Sequence, residues 1–231
     1  MGKAKFDGYT NQYDEWFMAN ENVFNSELKL LVKALGDLSG KRVLSVGCGS
    51  GLFESNLDHR GIEGVEPSAD MAQIARKRGM EVQVATFEDA DLEQDAYDVI
   101  YFNGSSTYIA DLEVAYRKAH ACLKPGGRLV LLDVPKESAY ALMYLLAASV
   151  GSYDHEFLAG VMPPMPYPLE LVTAGYWHTS ESKWQVLRDL GMRDFESYQT
   201  LVNNPVYTND EVEDVVDGYR AGGYVALVAH K

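Results

Sequence analysis

The stretch VLSVGCGSGLFES, residues 43–55, sets three glycines at alternate positions directly after an apolar run. The run predicts a buried strand, RVLSV at 42–46. Glycine next to it lets the backbone take a positive φ, or approach a ligand or packed neighbour where a side chain would intrude. Four more short runs follow the same pattern: IEGVE at 62–66, EVQVA at 81–85, YDVIYF at 97–102 and RLVLLD at 128–133. Each ends at a turn or capping residue, and amphipathic helices are expected to fill the gaps. SADMAQIARKRG begins at a capping Ser68 and stops at Gly79. DLEVAYRKAHACLKPGG puts Ala115, Ala119, Cys122 and Leu123 on one face and is predicted to end at Pro125 and Gly126. Such alternation makes an α/β fold with a parallel sheet buried on both faces.

Upstream, helical spacing of Tyr13, Trp16 and Phe17, then of Leu28, Leu31, Val32 and Leu35, places one or two helices before the first strand. Downstream of Asp133 the alternation breaks. Residues 135–178 are rich in Tyr, Met and Pro, and VMPPMPYP suits neither a helix interior nor a central strand, so the segment reads as an insertion. TSESKWQVLRDLG resumes as a capped helix. MRDFESYQTLV and GGYVALVAH follow as strands, forming a hairpin across a long acidic loop. The expected architecture is doubly wound: a mostly parallel seven-stranded sheet with an antiparallel last strand. It is read as a single domain over residues 1–231, with residues 1–40 as a helical lid and 135–178 as a cover.

Lys and Arg number 20 against 34 Asp and Glu, a formal net charge of −14. That charge repels phosphate backbones and anionic lipid, so neither nucleic acid nor a membrane is expected as partner. Solubility alone accounts for such a charge; a preference for a cationic or amine substrate is the alternative. The longest apolar stretch, ALMYLLAASVG, falls short of the ~20 residues of a membrane span, and MGKAKFDGYTNQYDEW has no apolar leader core. A cytoplasmic location is expected. Cys48 and Cys122 lie far apart without metal-ligand spacing and read as reduced and unbridged.

A Walker loop requires Lys and Ser or Thr after its last glycine, whereas Leu52 and Phe53 follow Gly51. A dinucleotide fingerprint requires G-x-G-x-x-G, and Gly47, Gly49 and Gly51 give G-x-G-x-G. Glu66 ends the second strand about 20 residues after Gly47, where a carboxylate can accept hydrogen bonds from vicinal ribose hydroxyls. Its alternative role is an acidic cap for the next helix, and the two roles are compatible. A nucleoside without a diphosphate fits S-adenosylmethionine.

Through VLSVGCGSG, GVEPS, ATFEDADLEQDAYDVIYFNGSS and AHACLKPGGRLVLLD, in that order, the chain resembles the class I S-adenosylmethionine-dependent methyltransferases. The likeness is to the small-molecule branch, including one with a YDEWF-like N-terminal helix. It implies that Gly47, Cys48 and Gly49 wrap the methionine portion, that Glu66 takes the ribose, and that Pro67 and Met71 line its side. Thr86, Phe87 and Glu88 correspond to the adenine-contacting turn, where the family often has Asp at the position of Thr86. Phe87 would contribute its backbone N–H or simply pack its ring in the core. Asn103, Gly104 and Ser105 would face the sulfonium and the nucleophile.

Methyl transfer from a sulfonium is an in-line displacement with a neutral leaving group, so positioning dominates and no invariant acid, base or metal is required. Tyr9, Tyr13 and Trp16 are candidates for an aromatic lid over the cation, or for plain helix packing. An oxygen or thiol acceptor would need a base, for which His155 and His178 are the placed histidines and Tyr13 a further candidate; structural roles are the alternative. Nitrogen is therefore favoured over oxygen. The followers of Asp133, VPKES, do not resemble a metal-binding set, and FNGSS is not the N-P-P-Y turn of base-modifying enzymes. Tyr144, Tyr153, Tyr167, Tyr176 and Trp177 in the insertion would set acceptor specificity, with homodimer contact as its alternative role. The competing classes are a non-catalytic S-adenosylmethionine-binding protein and an NAD-dependent oxidoreductase, the latter opposed by the loop spacing and by the lack of a placed Tyr-x-x-x-Lys pair.

Overall fold

The structure, a computed structural model, describes residues 4–231. Helices α1 (Thr10–Ala19) and α2 (Glu21–Leu35) precede β1 (Val43–Val46), whose apolar residues are buried on both faces. β2 (Glu63–Val65), β3 (Glu81–Gln83), β4 (Tyr97–Asn103) and β5 (Leu123–Asp133) complete a parallel array, with α3 (Ala69–Lys77) after β2 and α4 (Leu112–Cys122) after β4. α5 (Ala139–Val150), α6 (Leu169–Thr173) and α7 (Ser180–Asp189) follow, then β6 (Arg193–Thr200), β7 (Val216–Asp217) and β8 (Tyr224–His230). The strand order is β3-β2-β1-β4-β5-β8-β6-β7, and β8 lies antiparallel to both β5 and β6. The sheet has eight strands where seven are predicted, because two residues of the acidic loop, β7, pair with Tyr198 and Gln199 of β6. Two residues carry no periodicity to read.

Successive residues of β4 serve opposite layers. Val99 and Tyr101 join α2, α3 and α5 on one face, while Ile100 and Phe102 join α4 and α7 on the other. That is why YDVIYF is apolar without alternation. The caps expected at Ser68 and Thr179 are present: each hydroxyl accepts a backbone N–H three residues on, from Met71 and Ser182.

Three local expectations are corrected. The helix before β5 ends at Cys122, not at Pro125. Leu123 is already extended and paired with Tyr97, and the next partner after a register shift is Arg128 with Val99, so 124–127 is accommodated as an irregularity in the strand. No α-helix forms between β3 and β4, and between β1 and β2 there is only a 3-10 turn, at Glu54–Asn56. There the Glu54 carboxylate turns inward to accept from Ser45 Oγ at 2.7 Å and Tyr101 OH at 2.8 Å, while Ser55 and Asn56 side chains bond back to the Leu52 carbonyl. On α2 the buried stripe runs through Val23, Phe24, Glu27, Leu30, Leu31, Ala34 and Leu35, leaving Val32 exposed.

The inserted segment is built around α5. Its N-terminal orphan N–H at Ala141 is met by Ser138 Oγ, and Gly151 ends it at φ 78°. Residues 161–168 take neither helix nor strand conformation, as their prolines predict.

Candidate active site

The three loop glycines have positive φ, of 68°, 55° and 72° for Gly47, Gly49 and Gly51, but for different reasons. A Cβ on Gly47 would stand 2.5 Å from Ser105 Cβ, and one on Gly51 would stand 2.8 Å from Met80 Sδ and 3.2 Å from Ala75. Those two let the turn after β1 press against β4's exit loop and against α3. A Cβ on Gly49 would meet nothing within 4 Å, because this residue edges open space. Glu66, at the end of β2, braces that edge: its Oε2 accepts from the Gly49 N–H at 2.9 Å and its Oε1 from the Ser68 N–H at 2.8 Å. Burial pushes its carboxyl up to about 7, against the pull of the two N–H groups. Each oxygen has one protein donor and a further lone-pair direction free.

A cavity of about 720 Å³ opens from the loop, within the usual range of small-molecule sites. Its loop end is lined by Gly47, Gly49, Glu66, Pro67, Met71, Thr86, Phe87, Glu88, Asn103, Gly104 and Ser105, so the predicted cofactor residues converge, except one. Cys48 does not line it. Its thiol packs beneath the loop, 2.6 Å from where a Cβ on Gly64 would stand, and burial pushes its pKa well up, so it is an inert spacer. Both cysteines are buried and unbridged. The Phe87 ring packs edge-on against Phe102 in the core, centroids 5.4 Å apart. Thr86 is occupied in a turn, its hydroxyl donating to Asp89 Oδ2 at 3.0 Å, and Asp89 thereby brings to the rim a carboxylate the sequence reading missed. Asn103 is fixed by the Tyr224 hydroxyl, which donates to its Oδ1 at 2.9 Å.

The far end is roofed by α1 and residues 135–178. Tyr13 and Trp16 line the cavity; Tyr9 does not. From the insertion Tyr144, Tyr167, Tyr176 and Trp177 line it, whereas Tyr153 stands behind, edge-on to Tyr144. The two roof pieces are tied together: Trp16 Nε1 donates to the Met165 and Pro166 carbonyls at 3.1 and 3.2 Å, and its ring meets Tyr167 edge-on at 5.3 Å. α1 is also tied to the loop, since Asp14 accepts from Ser50 Oγ at 2.6 Å and from Arg78 at 2.7 Å.

Neither histidine reaches the cavity. His155 Nδ1 accepts from the Phe157 N–H at 3.2 Å, capping a 3-10 turn, and His178 Nε2 sits 3.2 Å from the Ile109 carbonyl, with its pKa lowered by burial. Tyr13 is no base either, because burial, followed by the charges of nearby carboxylates, holds its hydroxyl well above its ordinary pKa. The acids the sequence reading missed inside the cavity are Asp133 and Glu27. Asp133 is satisfied, accepting from Lys183 Nζ at 2.8 Å, Thr107 Oγ1 at 2.6 Å and the Val134 N–H at 2.9 Å. Glu27 sits mid-stripe on α2. Among the described residues no three His, Cys, Asp or Glu side chains gather as a metal site, and no helix is long and apolar enough to cross a membrane.

A mostly parallel sheet whose first strand ends in a glycine turn braced by a carboxylate from the second, below an aromatic roof, is the Rossmann-like arrangement. A family profile described as a methyltransferase domain matches residues 19–178, and the chain belongs to that family. It is an S-adenosylmethionine-dependent methyltransferase, and the oxidoreductase and non-catalytic readings fall away. A solved S-adenosylmethionine-dependent methyltransferase from Thermotoga maritima, described as a possible histamine N-methyltransferase, superposes with a TM-score of 0.82 at 28% identity, covering 98% of each chain. An uncharacterised protein of Methanocaldococcus jannaschii is 27% identical over 98% of both chains. The mitochondrial ubiquinone biosynthesis O-methyltransferase of Mus musculus is 27% identical over 63% of this chain, which spans about half of that relative's length (48%).

Proposed function

We propose that the protein transfers the methyl group of S-adenosylmethionine to a small-molecule acceptor, with nitrogen preferred to oxygen, in a single domain closed by a lid at residues 1–40 and a cover at 135–178. The observation that carries this is the continuity of one cavity from the glycine turn and Glu66 to the aromatic chamber beneath α1 and the insertion. The residues present fit the cofactor: Gly49 leaves its backbone open, and the Glu66 oxygens retain acceptor directions for two ribose hydroxyls. Gly47 and Gly49 hold the amino acid portion through backbone. Pro67 and Met71 flank the ribose, Thr86, Phe87 and Glu88 surround the adenine through the turn, and Asn103, Gly104 and Ser105 border the reacting end. Bound there, S-adenosylmethionine supplies an electrophilic methyl on a sulfonium.

The chain's own contribution is orientation and exclusion of water, worth roughly 7–11 kcal/mol when donor and acceptor are held in attacking geometry. Tyr13 and Trp16 offer aromatic faces to the cation. The preference for nitrogen rests on the absence of either His155 or His178 from the cavity lining, and on the likeness to a possible histamine N-methyltransferase. The net charge of −14 supports a small acceptor over nucleic acid or an anionic membrane surface, and the location proposed is the cytoplasm. Transfer of labelled methyl to a panel of amines, phenols, carboxylates and thiols tests the reading: amines lead if it is right, and a panel in which only phenols or thiols are labelled overturns the preference for nitrogen.

A further inference from the structure

Three buried carboxylates border the cavity, and they differ in what they bond. Glu66 holds two backbone N–H groups, and Asp133 holds Lys183, Thr107 and a backbone N–H. Glu27 is 7% exposed, lines the chamber, and among the described residues no hydrogen-bond donor meets its carboxylate. Tyr13 from α1, Tyr140 and Tyr144 from α5, Tyr167 from the insertion and Tyr224 from β8 stand close enough for the Glu27 charge to raise their hydroxyl pKa values. Two of those hydroxyls are committed elsewhere, Tyr140 to Thr208 and Tyr224 to Asn103. The charged group that faces it from β5 is Asp133, an acid already paired. Lys5, the Lys or Arg that lines the cavity among the described residues, donates to the Ala174 carbonyl at 2.7 Å.

A lone carboxylate walled by aromatic rings is a site for an organic cation, since both the charge and the ring faces attract one and an anion or neutral alcohol gains from neither. We propose that Glu27 binds the acceptor as an amine, pairing with its ammonium group and taking its proton before transfer. The inference deepens the methyltransferase reading and rests on it. The N–H bond electrons stay on nitrogen as its lone pair, and the proton moves to a Glu27 oxygen. Nitrogen then forms the N–C bond while the C–S bond breaks with its electron pair left on sulfur, so the positive charge passes from sulfur to nitrogen. The proton stays on Glu27 as the product leaves, restoring its resting form, so the one proton released in each turnover is the one that amine binding expels.

Burial, then the charge of Asp133, raises the Glu27 carboxyl to about 8, so it is mostly protonated at pH 7. Pairing with an ammonium therefore expels a proton.

Calorimetry of the whole chain, alone and with S-adenosylhomocysteine, would compare 2-phenylethylamine with its neutral analogue 2-phenylethanol. The expected results are at least roughly tenfold tighter binding of the amine and release of about one proton per amine at pH 7, read from the dependence of the enthalpy on buffer ionisation. Glu27→Gln should abolish both the preference and the proton release while binding S-adenosylhomocysteine as the wild type does. Equal binding of the two probes by the wild type, or a preference that survives in Glu27→Gln, overturns the assignment. Should the substitution prevent folding, proton release by the wild type decides alone, and its absence overturns the assignment. Failure of the wild type to bind S-adenosylhomocysteine would instead refute the cofactor site and leave the amine result standing.

Discussion

Gly47 and Gly49 look alike in sequence and do different things. Both hold positive φ, which costs a residue with a Cβ about 1–2 kcal/mol. Gly47→Ala also drives a carbon to 2.5 Å from Ser105 Cβ, so it should destabilise more than Gly49→Ala in denaturant titrations. Gly49→Ala should fold with a smaller loss and instead weaken cofactor binding, because its Cβ would project into the open space proposed for the cofactor. Under the ribose role proposed for Glu66, its carboxyl near 7 should make cofactor affinity pH-dependent. The ionised form is the better acceptor for ribose hydroxyls, so binding should weaken as pH falls from 8 to 6, and Glu66→Gln should flatten that dependence. The glycine turn and Glu66 were readable because their spacing follows from backbone geometry. Glu27 was not singled out, although a signal existed: Val23, Phe24, Leu30, Leu31, Ala34 and Leu35 define an apolar stripe with a glutamate at its centre. The histidines misled because a side chain's direction within an irregular segment is set by packing that spacing does not encode.

At the level of elements, strands β1 to β5 were legible from their apolar runs, as was the long-loop hairpin of β6 and β8. The missing helix after the glycine turn was not, since a glutamate that buries its carboxylate against Ser45 and Tyr101 reads as an ordinary helix former until the core around it is known. The same holds for Lys183. Helical spacing puts it on the inner face of α7 with Trp184 and Leu187, but its partner Asp133 lies on a distant strand. With the two side chains only 3% and 6% exposed, Lys183→Met strands a buried carboxylate and should cost about 3–5 kcal/mol in urea unfolding. A double variant that also removes the Asp133 charge should recover much of that loss.

For the molecule as a whole, buried acids in and beneath the site oppose its folded state at neutral pH. Glu27 at about 8, Glu66 at about 7 and Glu54, also raised by burial, all bind protons more tightly folded than unfolded. Their contribution is intact below the unfolded carboxylate range near 4.5 and is lost as pH climbs through the folded values, on the order of 2–4 kcal/mol in all after relaxation. The cofactor-free protein should therefore melt at a lower temperature at pH 8 than at pH 5, and Glu27→Gln should reduce the difference. A melting temperature that rises over that interval would contradict the burial of these groups. When ionised, Glu27 and Glu66 would attract the cationic acceptor proposed above, in keeping with the net charge of −14.

The most direct test of the central claim is titration calorimetry of S-adenosylmethionine, S-adenosylhomocysteine and NAD against the wild type and Glu66→Ala. Both adenosyl ligands should bind the wild type and NAD should not, and Glu66→Ala should weaken the adenosyl ligands by ~1.5–3 kcal/mol, the worth of hydrogen bonds to a charged group. Binding of NAD alone, or an adenosyl affinity unchanged by Glu66→Ala, would contradict it.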